Sequence, residues 1–231
     1  MILESTFSLA SSVRGKFERF RLKRRLANLQ AAGMRIGQGV NMPASTWIDA
    51  SHAHLISIGD WCGFGEQCLI LAHDAQMAEF LDVRKIDRVV LNESCHFGSR
   101  TVILPGVEVG PRTIVGANSV VSRSLPPDSV CAGAPAKVIC TLDEYLERHR
   151  ERMKASVEFP WADYNPEALT PARRAEIHAA VRDGPAYLRG GFSAELQGEG
   201  GTQRTPSNGD ARPYGMKWLA ARQRDASWRN T

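Results

Sequence analysis

A single histidine stands at the base of a long interruption in an otherwise regular sequence repeat. Residues 71–90 separate two runs of a regular repeat, and His73 lies near the start of this stretch. Long loops in an otherwise regular protein usually carry function, because a rigid scaffold positions their side chains. Histidine changes its protonation near neutral pH, so His73 is the first candidate for proton transfer. Its orienting partner stays open among Asp74, Glu66, Asp60 and a main-chain carbonyl.

Two further histidines, His52 and His54, occupy a second interruption of the repeat, in the segment SHAHLIS. A spacing of two places both side chains on one face of an extended strand, which is compatible with metal binding but not specific for it. Binding of a substrate is the alternative role for either residue. His96 directly precedes a repeat position and is expected to face outwards. We expect no metal centre.

The repeat itself has a period of six residues. An apolar residue opens each hexad, glycine often follows it, and a small or β-branched residue comes four positions after it. The apolar positions are Ile36, Met42, Ile48, Ile58, Phe64, Ile70, Leu91, Phe97, Ile103, Val109, Val115 and Val121. The small positions include Val40, Thr46, Cys62, Cys68, Cys95, Thr101, Val107, Thr113 and Ser119.

A period of six fits neither a helical stripe nor a long alternating strand, but it suits a chain that bends after each short strand. Three hexads then make one triangular coil, with the apolar and small residues inside and glycine relieving the backbone at the corner. Stacked coils pair their strands in parallel and bury one another. The prediction is therefore a mainly β protein, a parallel β-helix of hexapeptide repeats with an N-terminal helix and a C-terminal helical extension.

These repeats resemble the hexapeptide-repeat acyltransferases, which include galactoside, maltose and serine acetyltransferases and polysaccharide O-acetyltransferases. The resemblance covers residues 36 to about 140, and its most specific stretch is IVGANSVVSRSLPPDSVCAGAPAKVI, from Ile114 to Ile139. Asn118 stands there in place of a glycine that many relatives have. The resemblance alone implies a left-handed coil, since the general rule for parallel crossovers gives the opposite hand.

The same resemblance implies an acetyltransferase that uses acetyl-CoA as co-substrate. A histidine at the start of this loop is the family's general base, which assigns that role to His73. The acceptor attacks the thioester carbonyl directly, and a backbone N–H or another positioned donor holds the oxyanion. A homotrimer with sites between subunits is implied as well.

Five positions match family residues that contact the cofactor. Gly98 and Ser99 match a turn that touches the pantetheine arm, and Ala117 matches a residue whose backbone meets that arm. Arg123 and Lys137 match basic positions that approach the nucleotide phosphates, where a cation is the physical requirement. Arg123 stands where lysine is frequent, and the charge is kept.

The context of His73, followed by Asp74 and Ala75, is similar to that of sugar O-acetyltransferases. The acceptor is therefore expected to be a hydroxyl or an amine of a sugar, nucleotide sugar or glycolipid, in surface polysaccharide biosynthesis. Two alternatives are a non-catalytic β-helix scaffold and a zinc enzyme like the gamma-class carbonic anhydrases, which share the coil and use three histidines. The spacing of His52 and His54 does not match that zinc pattern.

The cysteine count and the net charge limit the possible classes of protein further. Five cysteines without an export signal favour reduced thiols and a cytoplasmic protein, and three of them (Cys62, Cys68 and Cys95) fall on inward repeat positions. Cys131 and Cys140 have no base-like neighbour in sequence, so no cysteine nucleophile is expected. The net charge of +4 is modest and gives no case for nucleic-acid binding.

The flanks complete the predicted organisation. Residues 1–35 contain a basic helix that covers the first coil, with weak attachment to an anionic membrane surface as the alternative. Residues 36–140 form the β-helix, with its loop at 71–90. A helical extension spans 141–189, where Thr170 is an N-cap and Gly184 closes the second helix. Residues 190–231 are a Gly-rich tail of flexible composition.

Overall fold

The hexads form short strands that wind through three parallel sheets in the computed structural model, which describes residues 20–191. The strands are β1 (Arg35–Ile36), β2 (Trp47–Ile48), β3 (Ile56–Ile58), β4 (Gly63–Phe64), β5 (Leu69–Ile70), β6 (His73–Asp74), β7 (Lys85–Ile86), β8 (Val89–Leu91), β9 (His96–Phe97), β10 (Val102–Ile103), β11 (Glu108–Val109), β12 (Ile114–Val115), β13 (Val120–Val121), β14 (Ser129–Ala132), β15 (Lys137–Thr141), β16 (Glu158–Pro160) and β17 (Tyr187–Arg189). The helices are α1 (described over residues 20–31), α2 (Ala78–Leu81), α3 (Leu142–Lys154), α4 (Trp161–Tyr164) and α5 (Pro171–Ala180).

Each coil visits the three sheets in a fixed order. The first sheet has the order β1-β3-β8-β11, the second β4-β9-β12-β14-β15, and the third β2-β5-β10-β13. Hexad residues stay in register from coil to coil, as Ile48, Ile70, Ile103 and Val121 do across the third sheet. The predicted parallel β-helix is therefore present as a three-sided prism.

The interior of the prism is apolar and closely filled. Hexad side chains such as Ile70, Ile103 and Val109 are fully buried, and Cys62 and Cys95 fill the small positions beside them. Burying one such aliphatic side chain contributes about 2 kcal/mol, while the backbone groups of each coil bond to the next. The core therefore holds the coils in one register, and this register fixes the positions of the loop residues at the edges of the prism.

The sequence predicted that the hexad glycines relieve the backbone conformation at the corners, but in the structure they are needed for space. A Cβ on Gly98 would lie 2.4 Å from the amide nitrogen of Ala117 in the next coil, so this position needs space. The left-handed backbone falls two residues later, at Arg100 (φ 63°) and, one coil on, at Asn118 (φ 57°). Asparagine tolerates that conformation better than most side chains, which explains why it can replace a glycine there.

The N-terminal helix packs on the first coil. Leu29 is buried in the core and Leu26 packs against it, while the Arg25 guanidinium donates to the carbonyl oxygen of Ala44 at 3.3 Å. Residues 1–19, on which the first half of the predicted helix falls, lie outside the described residues. Attachment of this helix to a membrane surface stays a prediction. Within residues 20–191, none of the helices has the length and apolarity needed to cross a bilayer.

The insertion at residues 71–90, after the second coil, has regular secondary structure. Strands β6 and β7 pair antiparallel, with His73 opposite Ile86, and α2 lies between them. The Asp87 N–H donates to the Ala72 carbonyl at 3.0 Å and closes the base of the hairpin. His73 therefore sits on the first strand of a paired element, close to the coil.

The described chain divides after Ile139, and the second unit begins at Cys140. Helix α3 starts with a capping box in which Thr141 and Glu144 satisfy each other's backbone N–H groups. Thr170 caps α5 as predicted. Helix α5 ends at Ala180 and not at Gly184, because the Val181 N–H donates to the carbonyls of Ile177 and Ala179 and closes the last turn there. Apart from Gly190 and Gly191, the predicted tail lies outside the described residues.

Candidate active site

Both interruptions of the repeat fall at the same edge of the prism, between the third sheet and the first. One interruption follows β2 and contains Ser51 and His52; the other follows β5 and begins with Ala72 and His73. Since β2 and β5 are neighbours in the third sheet, the two segments leave the coil one above the other. Residues 24 positions apart in the chain therefore meet.

Asp49 lies at the centre of this meeting point. Its Oδ1 accepts the Ser51 hydroxyl at 2.6 Å and the Ser51 N–H at 3.2 Å. Its Oδ2 accepts the Ala72 N–H at 3.3 Å and lies 2.5 Å from Nδ1 of His73. The side chain is 1% exposed, against 30% for His73. A buried carboxylate thus holds a half-exposed imidazole.

The bonds around Asp49 decide its charge and the tautomer of His73. Burial alone raises the pKa of Asp49, but the bonds from Ser51, His73 and Ala72 outweigh burial and lower it from 3.8 to about 2. Asp49 is therefore ionised at neutral pH and can only accept hydrogen bonds. His73 must then carry its proton on Nδ1, which leaves the Nε2 lone pair on the other side of the ring. This is the arrangement that a general base needs.

The structure separates the two histidines of the first interruption. The His52 ring is tilted against that of His73, with 4.8 Å between centroids, and its Nδ1 lies 3.0 Å from the Ser51 hydroxyl. His54 is exposed, and its ring lies 6.3 Å from that of His52. Only His52 belongs to the Asp49 network.

Asp49, His52 and His73 also form a possible set of metal ligands, with their ligand atoms all within 4.8 Å of one another. Ligand atoms around a tetrahedral zinc are ~3.3 Å apart at Zn–N bonds of about 2.0 Å. Oδ2 of Asp49 and Nδ1 of His73 are 2.5 Å apart, a hydrogen-bonding distance. That separation is shorter than the one between two ligand atoms on a tetrahedral zinc ion.

Asp49 is the residue of this candidate site that the sequence analysis did not predict. The three carboxylates considered there bond elsewhere: Asp74 accepts the Gln76 N–H at 2.8 Å, Asp60 accepts the Gln38 N–H at 2.9 Å, and Glu66 bonds Ser45. A signal was available in the sequence. Asp49 directly follows the apolar position Ile48, and the second interruption directly follows the apolar position Ile70. Assigning successive hexads to successive coils would therefore have placed the two segments next to each other.

The predicted pantetheine contacts gather at a different edge, between the second sheet and the third. Gly98 and Ala117 stack there in successive coils, and the Ser99 hydroxyl accepts the Glu66 N–H at 3.2 Å. The Ser99 carbonyl accepts the N–H of Asn118 at 2.9 Å. These residues share one column on the surface, with Ala117 exposed.

The two predicted phosphate contacts are both exposed. Arg123 follows β13 at the edge that carries His73, two coils further along it. Lys137 begins β15 at the end of the coil. The third sheet therefore lies between the column of Gly98, Ser99 and Ala117 and the edge that holds His73 and Arg123.

The cysteines occupy structural positions. Cys62, Cys68, Cys95 and Cys131 are fully buried, and the Cys62 thiol donates to the Asn92 carbonyl at 3.1 Å. Cys140 is partly exposed. These four thiols cannot meet a substrate at the surface. The predicted core positions of Cys62, Cys68 and Cys95 are confirmed, and Cys131 is buried as well.

Comparison with known proteins gives consistent matches. Residues 88–123 match the family model described as bacterial transferase hexapeptide (six repeats). A Bacillus subtilis (strain 168) protein named as a putative acetyltransferase is 29% identical over 125 residues, which is 54% of this chain and 68% of the relative. The galactoside O-acetyltransferase of Escherichia coli K12 is 36% identical over 56 residues, 24% of this chain and 28% of that enzyme.

Among solved structures, a hexapeptide-repeat acetyltransferase of Vibrio cholerae in complex with acetyl coenzyme A aligns with a TM-score of 0.41 and 21% identity. It covers 55% of this chain and 78% of that one. The chain spans about two thirds of its Bacillus relative and less than a third of the Escherichia coli enzyme. Residues 88–123 thus carry a hexapeptide-repeat match, and the curated relatives that the chain resembles are named as acetyltransferases.

Proposed function

We propose that this protein is an acetyl-CoA-dependent acetyltransferase that acetylates a hydroxyl of a sugar-like acceptor, with His73 as the general base. The observation that carries the proposal is the contact between His73 and the buried Asp49, 2.5 Å long, at the edge of a hexapeptide-repeat coil. The family match and the acetyltransferase names of the relatives supply the reaction class.

The histidine supplies what an alcohol lacks as a nucleophile. A hydroxyl becomes reactive when a base takes its proton during attack, and Nε2 of His73 is the unprotonated ring nitrogen when Nδ1–H faces Asp49. Asp49 then stabilises the imidazolium that forms, because its carboxylate stays ionised. The neighbouring carboxylate thus acts twice, by fixing the tautomer before the reaction and by balancing charge during it.

The proposed reaction is a direct transfer. The acceptor oxygen forms a bond to the thioester carbonyl carbon as its proton passes to His73. The tetrahedral intermediate then expels the CoA sulfur, which takes the proton back from His73. Products are the acetyl ester and free CoA thiol, so no oxidant, metal or enzyme-bound acetyl group is required.

The CoA arm is proposed to lie along the outer side of the third sheet, in a groove of which a second subunit forms the other half. Pantetheine would contact Gly98, Ser99 and Ala117, and the phosphates would approach Arg123 and Lys137. These contacts come from family resemblance. The placement of the first three residues in one column, with His73 at the other border of the same sheet, supports them.

The same proposal includes a left-handed β-helix that assembles into a homotrimer, with the active sites between subunits. Its support is an apolar ladder on the outer side of the third sheet, where Trp47, Leu69, Val102 and Val120 stand in register. Trp47 is 45% exposed and Leu69 36%. Large exposed apolar residues in one row are typical of a surface that another subunit covers.

The acceptor is proposed to be a sugar, nucleotide sugar or glycolipid of surface polysaccharide synthesis, acetylated in the cytoplasm. The name of the Escherichia coli relative, a galactoside O-acetyltransferase, supports the sugar. Five free cysteines fit a reducing compartment.

The test is acetyl-CoA-dependent thiol release with a panel of sugars and nucleotide sugars, using wild type, His73→Ala and His54→Ala. His54 is the matched control, because it is an exposed histidine of the same edge outside the Asp49 network. We expect turnover in wild type and His54→Ala, and a loss of about 10²- to 10⁴-fold in His73→Ala with CoA binding kept.

Equal turnover in wild type and His73→Ala would remove His73 as the base. Absence of CoA binding in the wild type would favour a non-catalytic scaffold. Stoichiometric zinc, lost together with activity on chelation, would favour the carbonic-anhydrase-like alternative.

A further inference from the structure

His52 is placed as a second hydrogen-bonding group beside the proposed base. Its ring lies against that of His73, at 4.8 Å between centroids and an angle of 39°. The two side chains are similarly accessible, at 26% and 30% exposed. Proton abstraction from one hydroxyl needs only one of these rings, so the mechanism leaves His52 without a task.

The bonds around Ser51 determine the tautomer of His52. Asp49 is ionised and accepts the Ser51 hydroxyl proton at 2.6 Å, which uses the only proton that this hydroxyl has. The 3.0 Å contact between Ser51 Oγ and Nδ1 of His52 must therefore be donated by the histidine. Neutral His52 then has a proton on Nδ1 and a bare Nε2.

Asp49 thus imposes the same tautomer on two adjacent imidazoles. It acts on His73 directly, and on His52 both through the Ser51 hydroxyl and through Oδ2, which lies 3.5 Å from Nδ1 of His52. Each ring has its Nε2 as a hydrogen-bond acceptor, so the pair complements a ligand that offers two hydroxyl donors close together. Polyhydroxylated rings have this feature, whereas an isolated alcohol does not.

We propose that Nε2 of His52 accepts a hydrogen bond from a second hydroxyl of the acceptor, next to the hydroxyl that His73 deprotonates. His52 is then a specificity-determining residue, and the acceptor class is a ring that bears a diol. The inference rests on the proposed acetyl transfer and deepens it, since it states which acceptors the same site selects.

The first experiment reads the tautomers without any turnover. Protein labelled with ¹⁵N-histidine is examined by two-bond proton–nitrogen correlation in wild type and Ser51→Ala, with His52→Gln to assign the ring. We expect Nδ1–H on His52 in the wild type, with a changed tautomer population of His52 in Ser51→Ala. A bare Nδ1 on His52 in the wild type would overturn the inference, whatever the enzyme acetylates.

The second experiment measures acceptor discrimination. Methyl glycosides of galactose, glucose and mannose are compared with their monodeoxy analogues by thiol release, for wild type, His52→Ala, His52→Gln and the control His54→Ala. We expect wild type and His54→Ala to prefer an intact glycoside over one of its deoxy analogues by about tenfold in kcat/KM, the size of one hydrogen bond. In His52→Ala that ratio should fall to about 1, and Gln, whose amide oxygen also accepts, should restore part of it.

The outcomes separate this inference from the proposed function. An unchanged ratio in folded His52→Ala, with both substrates slowed equally, would mean that His52 only supports His73 and would overturn the inference. Wild type that transfers acetyl groups to simple alcohols or amines but to no glycoside would also overturn it, while acetyl transfer stands. Wild type that fails to bind acetyl-CoA would instead refute the proposed function.

Discussion

Replacing Asp49 by Asn tests whether the buried carboxylate makes His73 a base. The substitution keeps the shape but turns one of the two oxygens into an NH₂ donor. If that donor faces Ser51, the N–H and the hydroxyl of Ser51 lose their acceptor. If it faces His73, it favours a bare Nδ1 and moves the His73 proton to Nε2. Either orientation damages the network, and the second one removes the base.

The expected magnitudes follow from the same contacts. A pKa lowered from 3.8 to about 2 corresponds to about 2 kcal/mol of preference for the ionised form in the folded protein, so Asp49→Asn should unfold more easily by about that amount at pH 7. In kcat the loss should be about 10²-fold or more, within the range of general-base catalysis, with KM for acetyl-CoA nearly unchanged.

The assay is thiol release at saturating acetyl-CoA, with chemical denaturation to confirm that the variant is folded. Asp74→Asn is the matched control, because the Asp74 side chain accepts the Gln76 N–H and an Asn side chain can do the same. We expect that variant to stay within about twofold of wild type. Folded Asp49→Asn that keeps kcat within about threefold of the control would refute the reasoning.

Three other outcomes are expected. The pKa of Asp49 is lowered in the folded state, so the stability that its ionised carboxylate contributes is complete above pH ~3.8 and is lost as the pH falls through about 2. The difference in unfolding free energy between wild type and Asp49→Asn should therefore disappear over that pH range. A difference that persists at the lower pH would contradict the assigned role of the carboxylate. Gly98→Ala should destabilise by about 3 kcal/mol in denaturant titration, because its Cβ would lie 2.4 Å from the Ala117 nitrogen, whereas Gly184→Ala, with nothing within 4 Å, should cost almost nothing; equal effects would argue against the coil stacking. Thr141→Ala should weaken α3 by about 1 kcal/mol through loss of its cap, seen as faster amide exchange in that helix alone, and unchanged exchange would show that the capping box contributes nothing.

Much of the fold could be predicted because the repeat is local. Every sixth residue must be apolar to enter the prism, and this constraint appears in the sequence without any knowledge of distant contacts. The inward cysteines and the N-cap at Thr170 followed from equally short patterns. The corner geometry was harder, since the need for glycine at position 98 comes from the coil above it and not from its own dihedral angles.

The sequence by itself determined the repeat and the position of the long insertion, and it predicted His73 as the group for proton transfer, because each depends on residue type and local spacing. The tertiary structure alone decided which carboxylate meets that histidine. Asp49 is 24 residues away in the chain, yet it reaches His73 because successive coils stack Ile48 on Ile70 and bring both interruptions to one edge. Asp74, the immediate neighbour in sequence, bonds Gln76 instead. In a coiled solenoid the coil register sets which residues are adjacent, and distance along the chain does not.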